Sequence, residues 1–365
     1  MEDRRKEGFV RRSPNDLVEV GMIVGPGCHS YPIWGETMNP TSEHIRTTGM
    51  IMTHVWSLRP EMARRFAEKF QGMKVVEDPE DMIGKVDGVF VDDVNAVSIY
   101  PLLAKPFLEA GVPTFVNRPY ATSLAKGRAM VDLAEQHGTA LMSASTWEYT
   151  ESVGDLRAKA AEMTSIKGYV AHNSMSDFYT HGVHGVYYVY AVLKDEIKKG
   201  RGKVTTASYI TPNWRTPNGI VVYEHESPDG PYYGSLLEIG GADGNAYMRI
   251  FGTSSDGDAE GKIPARPGYF RYNTWNAMPL AIQEMFETRT SPETGEDLME
   301  KLTMFLLAFR SALERGGAPV RREEIGDWEL PPPTRKLFQH GHPTDSAFRG
   351  PYSEEELEAA EKRLG

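Results

Sequence analysis

The sequence predicts a protein of α/β plus α+β class, with a doubly wound parallel sheet in its N-terminal half and an open-faced mixed or antiparallel sheet in its C-terminal half. Three observations support this prediction. The chain has 365 residues, which is too long for one typical domain and fits two. Short apolar runs alternate with helical patterns from residue 18 to about 145, as βαβ units do. After about residue 150, β-rich stretches punctuated by glycine and proline replace this alternation.

The first half contains five short apolar runs that we interpret as the strands of the parallel sheet. Their bounds are Val18–Val24, Gly49–Trp56, Val86–Val91, Val112–Val116 and Thr139–Ser143. Helical patterns lie between them at Arg59–Phe70, Val97–Ala110 and from Ser123 to Gln136. Ser123 is a favourable N-cap, and His137-Gly138 is a typical helix end.

The second half is predicted to combine helices with strands. Helical spacing occurs at Val153–Met163, Gly182–Leu193, Pro279–Glu287 and Asp297–Arg315. Strand-like stretches occur at Lys167–His172, Val204–Thr211, Gly219–Glu224, Gly234–Ile239 and Tyr247–Phe251. Ser353 followed by Glu356 is a capping-box pattern, which predicts a last helix at 354–364. We therefore expect a polar arm at 1–17, a first domain at 18–148, a second at 149–330, and a tail with a short helix at 331–365.

The composition argues against several classes of partner. The formal net charge is −11, so the chain repels phosphate backbones and nucleic acid is a poor candidate. The single cysteine, Cys28, allows no internal disulfide, which fits a reducing compartment. No apolar run reaches membrane-spanning length, and the charged N-terminus lacks the apolar core of a signal peptide. We therefore expect a cytoplasmic protein without a membrane partner.

A glycine-containing turn follows the first predicted strand and reads Gly25-Pro26-Gly27-Cys28-His29-Ser30. In a Rossmann domain the first glycine permits the tight turn, the second lets the backbone approach a pyrophosphate, and a small third residue allows close helix packing. The N–H groups of the helix start can bind the phosphates. We predict that a dinucleotide binds at Gly25, Gly27, Cys28, His29 and Ser30. The alternative is a purely structural turn.

The end of the second predicted strand bears on the choice of cofactor. An acidic residue there would bind the ribose hydroxyls of NAD, but Ser57 takes that place and Arg59 lies two residues further on. A hydroxyl with a guanidinium suits a 2′-phosphate better than a bare ribose. The predicted cofactor is NADP or NAD, with NADP favoured. The alternative is that Arg59 is only a solvated residue in the first turn of the next helix.

Taken together, residues 18 to about 325 resemble the glucose–fructose oxidoreductase, inositol dehydrogenase and rhizopine catabolism family (Gfo/Idh/MocA). The similarity is carried by four stretches: 59–68 (RPEMARRFAE), 115–119 (FVNRP), 129–135 (AMVDLAE) and 181–184 (HGVH). The resemblance implies an N-terminal Rossmann domain and hydride transfer at a sugar or polyol carbon. It also implies oligomerisation, as a homodimer or homotetramer, through the sheet of the second domain.

The family's Glu-Lys-Pro signature is replaced here by Asn117-Arg118-Pro119. Arginine keeps the positive charge of the lysine but cannot act as a base. The stretch after the third strand is usually neutral in the family, but here Asp92 precedes Asp93-Val94-Asn95. The resemblance places Asp93, Asn95, Asn117 and Arg118 beside the cofactor.

The second catalytic motif of the family also differs. Thr180 stands where the family has an aspartate four residues before His184, and Tyr187 stands where it often has one three residues after it. These changes put the usual acid–base mechanism in doubt and leave the fold prediction nearly unaffected.

His184 is the strongest candidate base, because histidine titrates near neutrality. Arg118 would then stabilise the developing alkoxide, and Tyr187 would assist by hydrogen bonding. The alternative is a structural histidine at a helix start. Six residues are predicted to line the substrate cleft: Trp147, Tyr149, His172, Thr180, His181 and Tyr188. A metal site is not expected, because the loose set of His172, Asp177, His181 and His184 fixes no third ligand by its spacing.

The leading functional hypothesis is an NAD(P)-dependent dehydrogenase or reductase with non-standard catalytic residues, acting on a sugar-like substrate. One alternative keeps the cofactor but is redox-neutral, cleaving or epimerising glycosides, and net production of NAD(P)H distinguishes the two. Another is a binding protein that has kept the fold and lost catalysis, which would bind cofactor without turnover.

Overall fold

The computed structural model describes residues 16–25, 38, 48–70, 72–173, 182–210, 219–238, 246–255, 257–262, 274–331 and 352–365. Residues 1–15 of the predicted polar arm (1–17) and residues 332–351 of the predicted tail (331–365) lie outside these residues.

Six parallel strands form the first sheet of the described chain, in the order β3-β2-β1-β4-β5-β6. This is the strand order of a Rossmann fold. The strands are β1 (Val18–Val24), β2 (Met50–Trp56), β3 (Lys74–Val75), β4 (Gly88–Asp92), β5 (Thr114–Val116) and β6 (Leu141–Met142). Their buried, apolar composition fits a parallel sheet that is covered on both faces.

Three α-helices connect these strands in the described residues: α1 (Pro60–Lys69), α2 (Tyr100–Glu109) and α3 (Leu124–His137). The apolar spacing of α1 buries Met62 and Phe66. The predicted cap of α3 is confirmed, since the Ser123 hydroxyl accepts from the Lys126 N–H at 3.2 Å. The helix ends at Gly138, whose φ of 61° is the left-handed conformation that favours glycine.

The second sheet is mixed and has the order β12-β11-β7-β10-β9-β8-β13 in the described residues. Only β10 and β7 pair in parallel, and the other neighbours are antiparallel. The strands are β7 (Ser165–Asn173), β8 (Val204–Ile210), β9 (Gly219–His225), β10 (Tyr232–Glu238), β11 (Ala246–Ser254), β12 (Gly257–Lys262) and β13 (Val320–Arg321). The predicted fold class, a Rossmann sheet followed by a mixed sheet, is confirmed.

Within the described residues, helices cover one face of the second sheet and leave the other open. They are α4 (Glu151–Glu162), α5 (Val183–Lys198) and α7 (Gly295–Glu314); the chain between α5 and α7 also forms α6 (Thr274–Thr288). Helices α5 and α7 pack against β7, β8 and β10. The opposite face presents Val170, Ile220 and Tyr233, which are large apolar side chains exposed to solvent.

Helix α6 follows the second sheet in the chain but packs on the first one. Its residues Met278, Ile282 and Phe286 share an apolar cluster with strands β1, β2 and β4. The Phe286 ring meets the Phe90 ring edge-on, with 5.5 Å between centroids. Helix α6 therefore ties the C-terminal half of the chain to the Rossmann sheet.

The last helix, α8 (Glu354–Leu364), has the bounds that the sequence predicts. Its capping box is present, because the Ser353 hydroxyl accepts from the Glu356 N–H and the Glu356 carboxylate accepts from the Ser353 N–H. No helix among the described residues has the length and apolar character needed to cross a membrane.

Candidate functional site

Polar side chains gather where the strands of the first sheet end. Gly25 follows β1, Ser57 follows β2, Asp93 follows β4 and Asn117 follows β5. The carboxyl ends of parallel strands lie at one edge of a sheet, which is where ligands of Rossmann domains bind. The structure therefore brings four predicted cofactor residues from separate parts of the sequence to one edge.

Arg118 and His184 are in direct contact at this edge, and both are buried. Arg118 comes directly after Asn117, before a cis peptide bond to Pro119, and His184 lies in the first turn of α5. Arg118 Nη2 lies 2.5 Å from His184 Nε2, and Ser145 Oγ lies 2.6 Å from His184 Nδ1. A guanidinium can only donate, so His184 Nε2 accepts and Nδ1 carries the proton that it donates to Ser145. These contacts assign a neutral imidazole with a defined tautomer.

Arg118 is held from its other side by a chain of hydrogen bonds. Asn117 Oδ1 accepts from Arg118 Nη1, and Asn117 Nδ2 donates to Asp92 Oδ1 at 2.5 Å. Burial lowers the pKa of Arg118 to about 10, against the opposing effect of the Asp92 carboxylate. The guanidinium therefore remains a cation at neutral pH, aligned with the imidazole.

The aromatic residues around His184 have different surroundings. The Trp147 ring is fully buried between His184 and Tyr188, with centroid distances of 6.2 and 6.3 Å. Tyr187 is also buried, and the Lys301 ammonium lies 4.4 Å from its ring centroid. Burial raises the pKa of the Tyr187 hydroxyl well above its ordinary value. Trp147 and Tyr187 thus support the site from the side of the core.

A buried ionic cluster lies below Ser145. Lys301 Nζ, on α7, donates to the Ser143 carbonyl at 2.6 Å, to Glu148 Oε2 at 3.3 Å and to the Glu293 carboxylate. Glu148 Oε1 accepts from the Ser145 N–H at 2.7 Å, which connects the cluster to the residue that orients His184. Sequence reasoning did not identify Ser145, Lys301 or Glu293 as site residues. The available signal was a lysine that lies between Leu298 and the largely apolar run Leu302–Phe309.

Asp93 lies against the backbone of Gly25. A Cβ at Gly25 would fall 1.8 Å from the Asp93 carboxyl carbon, so only glycine fits there. Burial raises the pKa of Asp93 to about 7, and the neighbouring Asp92 charge contributes to the rise. The Tyr352 hydroxyl donates to Asp93 Oδ2 at 2.6 Å, and the Asn95 N–H donates to Oδ1 at 3.2 Å. Protonation of Asp93 would reduce the negative charge at this edge.

Arg59 is paired with the C-terminal helix. Its Nε and Nη2 donate to the two oxygens of Glu356 at 2.8 and 2.9 Å, and its guanidinium lies 4.6 Å from the centroid of the Tyr352 ring. This pair raises the pKa of Arg59 and lowers that of Glu356 to about 2. The contact between α8 and the cofactor edge was not predicted, because nothing in a capping-box pattern indicates where a helix packs.

Two of the predicted substrate residues, Tyr149 and His172, are not brought to this site. Tyr149 packs beside the apolar cluster that contains Met278 and Ile282. His172 shares the outer face of β7 with Val170, since side chains alternate along a strand and Ala171 is buried. Six predicted residues lie outside the described part of the chain: Gly27, Cys28, His29, Ser30, Thr180 and His181. Among the described residues, no group of three or more potential ligands could hold a metal ion.

Comparison with known proteins supports this description. Residues 21–145 match the sequence model of the Gfo/Idh/MocA family, described as an oxidoreductase family with an NAD-binding Rossmann fold, which confirms the resemblance seen in the sequence. No curated protein matches the chain.

Similar crystal structures extend over most of the chain. Myo-inositol dehydrogenase from Lactobacillus casei, in complex with NAD(H) and myo-inositol, has a TM-score of 0.66 at 12% identity and covers 88% of this chain and 99% of its own. Scyllo-inositol dehydrogenase from the same organism, with NAD(H) and scyllo-inositol, has a TM-score of 0.63 at 13% identity and covers 84% and 99%. A probable dehydrogenase from Thermotoga maritima has a TM-score of 0.63 at 14% identity and covers 84% and 100%. At these identities the likeness shows the fold.

Proposed function

We propose that this protein, whose Rossmann region matches the Gfo/Idh/MocA oxidoreductases, is a dehydrogenase or reductase that transfers a hydride between a nicotinamide dinucleotide and a sugar, polyol or related cyclic compound. The observation that carries the proposal is the Arg118–His184–Ser145 contact at the carboxyl edge of the Rossmann sheet. The inositols bound by the two Lactobacillus casei structures indicate the class of substrate.

The described residues fit a dinucleotide at this edge. The strand order is that of dinucleotide-binding sheets, and Gly25 stands at the end of the first strand, where the first glycine of a dinucleotide turn is expected. The raised pKa of Asp93 lessens the repulsion that two adjacent carboxylates would exert on a pyrophosphate. When bound, the nicotinamide would supply the hydride acceptor or donor.

His184 is the proposed base for the substrate hydroxyl. Its Nε2 lone pair accepts a hydrogen bond from Arg118 Nη2, so a substrate hydroxyl must displace that N–H before Nε2 can take its proton. The displaced guanidinium then faces the oxygen on which negative charge develops and stabilises it. Ser145 holds the opposite nitrogen throughout, so the imidazole keeps its orientation as it gains the proton.

Arg118 also motivates the second candidate function. A residue that keeps its proton cannot replace the family's lysine as an acid or base. The second candidate is therefore a non-standard, redox-neutral reaction, in which the cofactor would be reduced and reoxidised within one turnover. The third candidate is a binding protein that holds the cofactor without turning it over.

The finer points of the proposal concern cofactor, assembly and location. The sequence-based preference for NADP stays a prediction, and the engagement of Arg59 by Glu356 does not support it.

We propose a homodimer or homotetramer formed through the open face of the second sheet, where Val170, Ile220 and Tyr233 are exposed. A cytoplasmic location remains an expectation from the sequence.

The proposal is tested by titrating the purified protein with NADH and NADPH, following nicotinamide fluorescence, and by measuring NAD(P)H formation with a panel of inositols and sugars. We expect micromolar binding of at least one cofactor and its reduction by at least one polyol. Cofactor binding with substrate conversion but no net reduction would favour the redox-neutral enzyme. Binding without turnover would favour the binding protein, and no binding would rule out all three.

A further inference from the structure

The C-terminal helix α8 places a carboxylate where the Rossmann sheet lacks one. In dinucleotide sites an acidic residue at the end of the second strand binds the ribose hydroxyls, and Ser57 occupies that position here. Arg59, two residues further on, binds both oxygens of Glu356 from α8. Glu356 is distant in sequence from this strand end but adjacent to it in the fold.

We propose that Glu356 determines cofactor choice, selecting NAD and rejecting NADP by supplying the missing carboxylate and by occupying Arg59. This inference rests on the proposed binding of a dinucleotide at this edge. The last helix of the chain would then contribute to the part of the site that binds the adenosine.

The exposure of the two partners supports this role. The Glu356 side chain is 42% exposed and that of Arg59 only 17%, so an incoming ribose meets the carboxylate before the guanidinium. A carboxylate has about four acceptor positions. Arg59 and the Ser353 N–H use three of them in the described contacts, which leaves capacity for a ribose hydroxyl.

A 2′-phosphate would meet a different environment. It would have to compete with Glu356 for a bidentate, charge-assisted pair to Arg59 while lying beside a like charge. The Tyr352 ring packs against the face of the guanidinium, so a second anion would have to bind the edge that Glu356 already occupies.

Contacts at both ends hold α8 in place. At its start Tyr352 donates to Asp93, and at its end Arg363 binds the Asp78 carboxylate and the Glu77 carbonyl. The helix also packs against α2 and the short helix at Val97–Ile99. Glu356 is therefore positioned by the fold rather than by its single ion pair.

The test compares Glu356→Gln with Glu355→Gln, using NADH and NADPH titrations by fluorescence. Glutamine keeps the capping box, so α8 should stay folded, which circular dichroism and thermal melting check. Glu355 is an exposed neighbour in the same turn and controls for the loss of one negative charge. We expect the wild type to prefer NADH. In Glu356→Gln the Kd for NADPH should fall about tenfold, and that for NADH should rise about threefold because the ribose loses its carboxylate partner.

The double variant Arg59→Gln, Glu356→Gln should lose the gain in NADPH affinity, because the gain requires the released guanidinium. A wild type that prefers NADPH would overturn the inference while leaving the dehydrogenase proposal intact. So would an unchanged NADPH affinity in Glu356→Gln, or an equal rise for both cofactors, which would mean that α8 merely covers the site. No binding of either cofactor to any variant would instead refute the proposed function, and the inference with it.

Discussion

Single residues at the carboxyl edge hold one another in defined protonation states. His184 accepts from Arg118 at one nitrogen and donates to Ser145 at the other, so Ser145 is the residue that orients the proposed base. Replacing Ser145 with alanine should leave Nδ1 without its acceptor and allow the ring to turn. We expect kcat to fall on the order of tenfold or more, with a smaller change in KM, as for other groups that orient a catalytic histidine.

Steady-state kinetics with the best substrate of the panel would measure this effect. Ser98→Ala is a matched control, since it removes a hydroxyl that has no hydrogen-bond partner among the described residues. An unchanged kcat in Ser145→Ala would show that the contact does not serve catalysis.

Asp93 gives the molecule a pH-dependent stability. Its folded pKa of about 7 lies above the ordinary 3.8, so it stabilises the fold fully below about pH 4 and loses that contribution as the pH rises through 7. The groups facing it are Arg59, Asp92 and Tyr352. Between pH 5 and pH 8, Asp93 should account for a decrease of about 2 to 3 kcal/mol in the free energy of unfolding.

Urea denaturation at several pH values should therefore show a shallower decrease for Asp93→Asn than for the wild type. Glu148, whose pKa burial also raises to about 7, contributes to the wild-type slope but cancels in this comparison. Parallel pH profiles for the two proteins would contradict the assignment.

Residue identity alone allowed part of the site to be predicted. The glycine at position 25 and the meeting of Arg118 with His184 follow from local motifs and a family resemblance. Ser145 could not be found in this way, because its role depends on a contact between two segments 39 residues apart. The same holds for Glu356, which lies 297 residues from its partner Arg59.

At the scale of elements, the helices and strands that could be predicted are those with strong local sequence signals, such as caps and periodic apolar positions. Helix α8 was located to the residue, because a capping box and periodic apolar positions mark its start and length. Strands β3 and β13 have two residues each, too short for any periodic pattern, and neither was predicted. Strand β12 (GDAEGK) is not predicted because alanine is its only apolar residue, and its strand conformation comes from pairing with β11. The sequence predicts that helix α6 starts at Pro279, but the helix begins five residues earlier, at Thr274.

Helix α7 carries the one fully buried lysine of the described chain, and its removal should weaken the fold. Lys301→Met would leave the carboxylates of Glu148 and Glu293 buried without their cation. Breaking a buried ion pair in this way typically costs about 3 to 5 kcal/mol of folding free energy. Urea denaturation would measure the loss.

A triple variant separates charge from packing in this cluster. Adding Glu148→Gln and Glu293→Gln to Lys301→Met removes the stranded charges, so much of the lost stability should return. If the triple variant is no more stable than Lys301→Met, the lysine acts by filling space rather than by neutralising the two carboxylates.

At the scale of the whole molecule, the open face of the second sheet is the interface that we propose for assembly with another copy of the chain. Tyr233 is 58% exposed near the middle of the sheet, and Val170 and Ile220 on neighbouring strands share its face. Exposed apolar groups of this kind, clustered on a flat sheet, favour association. Sedimentation velocity should therefore show a dimer or tetramer for the wild type, and Tyr233→Glu should shift it toward monomer because each interface would bury unpaired carboxylates. Leu280→Glu, which changes a 47% exposed apolar residue on α6, should leave the assembly unchanged. A monomeric wild type, or equal effects of the two substitutions, would show that this face is not the assembly interface.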